Sequence, residues 1–196
     1  MVQTKPRFKS LDEYLKFDDG TDDRYELVDG VLVKMPTENP LNTQIAVFLI
    51  TVFFQLGIPI RRLGIKHQIA VKSNSVTARE PDLMVHSEGS INAIVGATQS
   101  LISLDMPAPS LVIEVVSPGD PGSENYDRDY IQKPQEYAAR GIPEYWLIDP
   151  IRAVILIHLL SNGEYQVKLF RGVEQIESRV FEALELTAEQ ILKAGE

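Results

Sequence analysis

Three charged residues stand where a charge is either costly or chemically useful. Glu114 interrupts the apolar run Leu111-Val112-Ile113-Glu114-Val115-Val116. Period-two alternation puts Leu111, Ile113 and Val115 on one face of a strand, and Val112, Glu114 and Val116 on the other. A strand this apolar reads as covered on both faces, so an ionised Glu114 needs a cation or several donors. A salt bridge to a nearby Arg or Lys meets that need as well as a functional role does. Asp82 follows Pro81 at the start of a second strand, 81–86, and by itself reads equally as a turn carboxylate capping a loop. If the two strands pair, both carboxylates point to one spot. Two carboxylates, backbone carbonyls and waters make a natural site for Mg²⁺ or Mn²⁺. Lys133 opens a helix after a polar loop, with Pro134 suited to a first helical position and Arg128 in the same stretch. A basic residue beside such a site can stabilise charge on a phosphoryl group or position a water. A solvent-facing lysine is the plainer alternative.

Most other catalytic constellations are missing. The chain has no Cys and three scattered His, at 67, 86 and 158. It carries no Gly-x-Ser-x-Gly, no His-Glu-x-x-His, no phosphate-loop motif and no Gly-x-Gly-x-x-Gly. Its 196 residues hold 28 acidic against 19 basic side chains, a net charge of −9. That is the wrong sign for a protein that coats nucleic acid. A local basic groove is still compatible with it. Residues 61–79 contain Arg61, Arg62, Lys66, Lys72 and Arg79 and no acid. The stretch reads as a solvated strand face or as a phosphate-facing rim, and the latter would give the acidic protein one positive face beside Asp82. No run approaches the ~20 apolar residues of a membrane helix. The first ten residues, MVQTKPRFKS, lack the apolar core of a signal peptide. A cytoplasmic protein without membrane contact is the expectation.

The elements that must position these residues are legible from caps and turns. Ser10 and Glu13 form an S-x-x-E capping box before a short helix. Residues 24–35, RYELVDGVLVKM, read as a hairpin turned at Asp29-Gly30. Pro40 suits the first turn of a longer helix carrying the stripe Ile45, Phe48, Leu49, Val52, Phe53, Leu56. Extended segments follow at 58–71, 81–86 and 110–117, with 89–108 ambiguous between loop and helix. Pro134 should push Lys133 off helical angles, so that Lys133 acts from a cap position of the helix at about 133–140. Gly141 caps that helix, residues 144–149 form a strand, and a second hairpin crosses Asn162-Gly163. Thr187 with Gln190 caps a final helix. Strands outnumber helices, which predicts an α/β (α+β) fold with a mixed sheet and hairpins near both ends. The length fits one domain, 1–196.

Taken in order, several segments resemble the Uma2 family, whose members are described as endonucleases and as a domain of unknown function, and which is frequent in cyanobacteria. They are Tyr25-Glu26-Leu27-Val28-Asp29-Gly30, Glu80-Pro81-Asp82-Leu83, the Leu111-to-Val116 run continuing into Ser117-Pro118, and Glu136-Tyr137-Ala138-Ala139-Arg140-Gly141-Ile142-Pro143-Glu144-Tyr145-Trp146-Leu147-Ile148-Asp149-Pro150. They span roughly residues 10 to 190. That family resembles the PD-(D/E)XK restriction-endonuclease superfamily. The resemblance implies a restriction-endonuclease-like central β-sheet flanked by helices and a metal-dependent phosphodiesterase site. It makes Asp82 the PD carboxylate, Glu114 the (D/E) residue, and Lys133 the lysine, moved to the following helix. Val116 stands where the superfamily usually has that lysine. Glu26 matches an additional acidic residue of the metal site.

What these implications describe is a Mg²⁺- or Mn²⁺-dependent endonuclease acting on DNA. The competing class is a catalytically inactive nuclease-fold binding module, which the −9 charge favours. A metal-dependent hydrolase of a small phosphorylated substrate suits the acidic surface but has no motif behind it. A homodimer is also expected, since cutters of both strands often pair two sites by a two-fold axis.

Overall fold

The computed structural model describes residues 6–21, 23–35, 37, 39–116 and 119–194. Ser117 and Pro118, which end one of the quoted segments, and the first five residues of the N-terminal stretch lie outside these. The strand-forming segments sort into two sheets rather than one. The larger has six strands: β3 (Leu63–Gly64), β6 (Leu83–Val85), β8 (Leu111–Val115), β9 (Glu144–Asp149), β10 (Val154–Ser161) and β11 (Glu164–Phe170). Their spatial order is β11-β10-β9-β8-β6-β3. The smaller, of order β2-β1-β5-β4-β7, collects β1 (Tyr25–Val28), β2 (Val31–Lys34), β4 (Gln68–Val71), β5 (Thr77–Arg79) and β7 (Leu101–Ile102). The larger sheet is the expected mixed sheet, with β8 and β9 parallel and its other pairs antiparallel, and a second, smaller sheet accompanies it. The N-terminal hairpin and β4–β5 pair with each other and leave the long apolar strands to form the larger one.

Local signals account for most boundaries. Both hairpins turn where Asn/Asp-Gly predicted, with φ of 47° and 77° at Asp29 and Gly30 and 53° and 86° at Asn162 and Gly163. Positive φ at both central residues gives the turn whose twist matches the flanking strands. Ser10 caps α1 (Leu11–Leu15) by accepting from Glu13 N, while Glu13 reaches back to Lys9 N instead of Ser10 N. Thr187 and Gln190 complete a full capping box on α6 (Ala188–Leu192). The segment 58–71 is less regular than expected. A turn of 3₁₀-helix at Ile60–Arg62 and a left-handed Lys66 (φ 58°) break it into β3 and β4. The ambiguous stretch 89–108 contains most of α3 (Glu88–Ile94) and all of β7.

The strand β8 is buried on both faces, which its composition required. On one face Leu111, Ile113 and Val115 join Ile45, Leu49 and Phe53 of α2 (Pro40–Gln55), together with Ile191 of α6. On the other face Val112 and the following Val116 pack with Ile69 and Val71 of the small sheet and with Tyr137. Tyr137 belongs to α5 (Lys133–Arg140), which helps to connect β8 to its parallel neighbour β9. The alternation therefore sends Glu114 into the space between the two sheets, beneath α5. Burying Leu49 or Ile113 completely contributes about 1.5–3 kcal/mol each, so this strand has little freedom to shift register.

Candidate functional site

Register brings the two predicted carboxylates together. Strand β6 pairs antiparallel with β8, Leu83 opposite Ile113, so Asp82 stands one step beyond the pair and opposite Glu114. Asp82 Oδ2 accepts from Val115 N at 2.7 Å. Glu114 Oε2 accepts from Lys133 Nζ at 2.7 Å and Oε1 from the Tyr137 hydroxyl at 2.6 Å. Glu26, on β1, accepts from Glu80 N at 3.1 Å and from Arg79 Nη1 at 3.2 Å, with Lys133 Nζ 3.9 Å away. Asp82, Glu114, Glu26 and Lys133 all line one cleft, with about 70 Å³ of free space.

Lys133 reaches this cleft from a helical position, not from a cap. Its φ and ψ are −57° and −45°, and the chain is helical from Glu124 to Arg140. The expectation that Pro134 would move Lys133 to extended angles is corrected. The reason is a π-helical turn at Arg128–Gln132, in which Lys133 N bonds Arg128 O five residues back. A proline within a helix removes one N–H and crowds the carbonyl four residues earlier. The wider turn relieves that crowding without breaking the helix, and such turns recur at functional sites.

The π turn also supplies a residue that sequence reasoning missed. Asp129 is 3% exposed and lies 3.3 Å from Lys133 Nζ, held in place by two bonds from Arg128 at 2.9 and 3.0 Å. Its spacing of four from Lys133 was the available signal, since i and i+4 share a helix face. Tyr137, another four residues on, carries the same spacing signal and was missed too. Arg128, which the sequence places in the same stretch as Lys133, itself lines the cleft and forks Asp129.

The basic stretch does not form a positive rim. Arg79 is fully buried and forms a fork with Glu136 at 2.7 and 2.9 Å while reaching Glu26. It ties β1 and β5 to the helix that carries Lys133. Arg61 and Arg62 pair with Glu88, and Lys72 lines a separate groove with Asp29. Lys66 alone of the five lines a groove that also touches Asp82 and is exposed there. Long-range partners such as Glu136, 57 residues from Arg79, are invisible to a local reading.

Electrostatics follow from one ammonium serving three carboxylates. For Lys133, burial favours the neutral amine, but Glu114, Glu26 and Asp129 outweigh it and raise its pKa. Burial drives Glu114 upward; Lys133 opposes this, but Glu26 and Asp129 reinforce it, so the Glu114 carboxyl ends above the usual range. Both partners therefore move up. Glu26 and Asp129 end below their usual values: burial raises each, but Lys133 lowers both, with Arg79 acting on Glu26 and Arg128 on Asp129. Burial and the nearby Glu114 push the Tyr137 hydroxyl well up, so it stays a donor.

Among the described residues, no three His, Cys, Asp or Glu side chains converge as a ready-made metal cage. The donor set still fits a hard divalent cation. Mg²⁺ is usually bound by one or two carboxylates with waters and substrate phosphate completing its shell. Asp82 and Glu114 supply that number, and a carboxylate oxygen that accepts one hydrogen bond retains a second lone pair.

Comparison with known proteins agrees with this architecture. A crystal structure described as a putative nuclease belonging to DUF820, from Anabaena variabilis ATCC 29413, superposes with a TM-score of 0.70 at 19% identity. The match covers 95% of this chain and 99% of that one, and at that identity it speaks for the fold. A search of curated proteins gives no match. Among the described residues no helix is long and apolar enough to cross a membrane. The Uma2 family model, described as "Putative restriction endonuclease", matches residues 11–189, a span that includes every cleft residue from Glu26 to Lys133, and the chain belongs to that family.

Proposed function

We propose that the protein is a divalent-metal-dependent endonuclease that hydrolyses phosphodiester bonds in DNA through a PD-(D/E)XK-type site. The observation that carries this reading is the shared cleft of Asp82, Glu114 and Lys133, with Lys133 bonded to Glu114. Asp82 and Glu114 would hold Mg²⁺ or Mn²⁺, which when bound lowers the pKa of a water and neutralises phosphate charge. Val115 N fixes one oxygen of Asp82, and Tyr137 fixes one oxygen of Glu114, so both carboxylates are oriented before any ligand arrives. Lys133 keeps its proton and has three N–H donors, of which a donor not taken by Glu114 or Asp129 can meet a non-bridging phosphate oxygen. Glu26 tunes Lys133 from the far side and is itself positioned by Arg79 and Glu80 N.

A second reading, a nuclease-fold module that binds without cutting, is favoured by one observation. Arg61, Arg62 and Arg79, three of the five basic residues of 61–79, are taken up in ion pairs, which leaves the acidic surface little phosphate-binding charge. Supercoiled plasmid with Mg²⁺ or Mn²⁺ separates the two. Nicking by the wild type and none by Asp82→Asn supports the nuclease. Plasmid retention without nicking by either protein supports the binding module. The nuclease reading also carries a two-fold dimer, so light scattering should give about twice the 22.0 kDa chain mass. A monomer mass at micromolar concentration contradicts that part.

A further inference from the structure

The ammonium of Lys133 occupies a place that a metal would contest. It lies 2.7 Å from Glu114 Oε2, 3.3 Å from Asp129 Oδ1 and 3.9 Å from Glu26 Oε1, with its side chain 6% exposed. We propose that Lys133 and a divalent cation compete for Glu114, and that Asp129 is the seat that takes the ammonium when Glu114 turns to the metal. The inference rests on the endonuclease reading, because it takes Glu114 as a ligand.

The argument is one of charge and reach. A cation on a Glu114 oxygen would face an ammonium hydrogen-bonded to the same carboxylate at roughly 5 Å or less, where like charges in a buried site oppose each other strongly. Lysine is a point charge on a flexible four-carbon stem, so a small swing is open to it. Asp129 is the acceptor best placed to receive that swing. It sits one turn earlier on the same helical segment, so it moves with Lys133, and Arg128 locks both its oxygens in a fork. Glu26 is less suited as the main seat. It lies farther from the ammonium, 3.9 Å against 3.3 Å, and it stands on a different element. Asp129 is thus a positioning residue, acting through Lys133 and not on the phosphate.

The test is calorimetric titration of Mn²⁺ without DNA, with thermal unfolding of each variant as the control on folding. Lys133→Gln keeps an N–H donor for Glu114 but removes the competing charge, so Mn²⁺ should bind about tenfold tighter. Asp129→Asn removes the second seat and holds the ammonium on Glu114, so Mn²⁺ should bind about tenfold weaker. The double variant should match Lys133→Gln, because the seat has no role once the ammonium is gone. Equal or weaker binding by Lys133→Gln overturns the proposal, as does unchanged binding by Asp129→Asn. A double variant as weak as Asp129→Asn would make Asp129 a metal ligand and also overturn it. If Lys133→Gln fails to fold, the Asp129→Asn arm decides. Binding that Glu114→Gln abolishes but Lys133→Gln leaves unchanged overturns this inference alone. Absence of Mn²⁺ binding in the wild type and every variant overturns the metal-dependent reading with it.

Discussion

Two buried glutamates stand on neighbouring parallel strands of one sheet, and they are partnered in opposite ways. Glu144, at the start of β9, is fully buried and accepts from four neutral donors: Trp146 Nε1, Ser178 Oγ, Arg179 N and Val180 N, at 2.6 to 3.1 Å. Glu114, near the end of β8, has one ammonium and one phenol, and shares that ammonium with Asp129 and Glu26. The first arrangement satisfies a charge and fastens the 178–180 segment to the sheet. The second leaves three carboxylates sharing one ammonium beside a cleft, an arrangement that suits the metal site proposed above. Burial of a carboxylate is therefore not a functional signal on its own. The identity of its partners is.

The comparison can be broken first at its structural end. Glu144→Ala strands four buried donors and should cost about 3–5 kcal/mol, lowering the melting temperature by roughly 10 °C. A shift within about 2 °C would remove Glu144 from the account. Arg79→Met, which cuts the tie between the two sheets and α5, should cost a similar or slightly smaller amount, about 3 kcal/mol, because it leaves Glu26 and Glu136 without their guanidinium. Urea unfolding measures both.

A pH series sharpens the contrast by separating carboxylates from histidines. Burial first, with His67 and Arg62 adding to it, lowers His86 to about 4, and burial lowers His158 to about 4. Both stay neutral when folded, whereas an unfolded histidine takes up a proton near 6.5. Stability is thus full above that value and erodes as pH falls from 6.5 toward 4, by roughly 5–10 °C in melting temperature. Glu26 and Asp129, held below their usual range, add their loss only in stronger acid. A flat profile down to pH 4.5 contradicts this order. The smallest effect belongs to a site remote from both glutamates. Gly163→Ala, at a φ of 86°, should cost about 1 kcal/mol and leave Mn²⁺ binding unchanged.

How much of this was legible depended on distance along the chain. The turns at Asp29-Gly30 and Asn162-Gly163, the caps at Ser10 and Thr187, and the two-sided burial of β8 are local properties, and the sequence carries them openly. Pairing of β6 with β8, which sets Asp82 against Glu114, stands in the sequence only as a condition, and the structure supplies it. Three things were hidden. Arg79 reads from sequence as part of a solvated or phosphate-facing strand, because its partners, Glu26 and Glu136, lie 53 and 57 residues away. Asp129 was overlooked because the polar loop before Lys133 gave no hint that helix would begin at Glu124. The division into two sheets was hidden because pairing depends on which strands find each other, and composition does not specify that.

The most direct test of the central claim sets the two glutamates side by side on supercoiled plasmid with Mg²⁺, with melting curves recorded for each protein. Metal-site neighbours that touch no metal already cost 10–100-fold when changed, so Glu114→Gln should lose about a hundredfold or more in nicking rate while remaining folded. Glu144→Gln should melt earlier yet nick in proportion to its folded fraction. Nicking by folded Glu114→Gln at the wild-type rate would contradict the assignment of this cleft as the nuclease site.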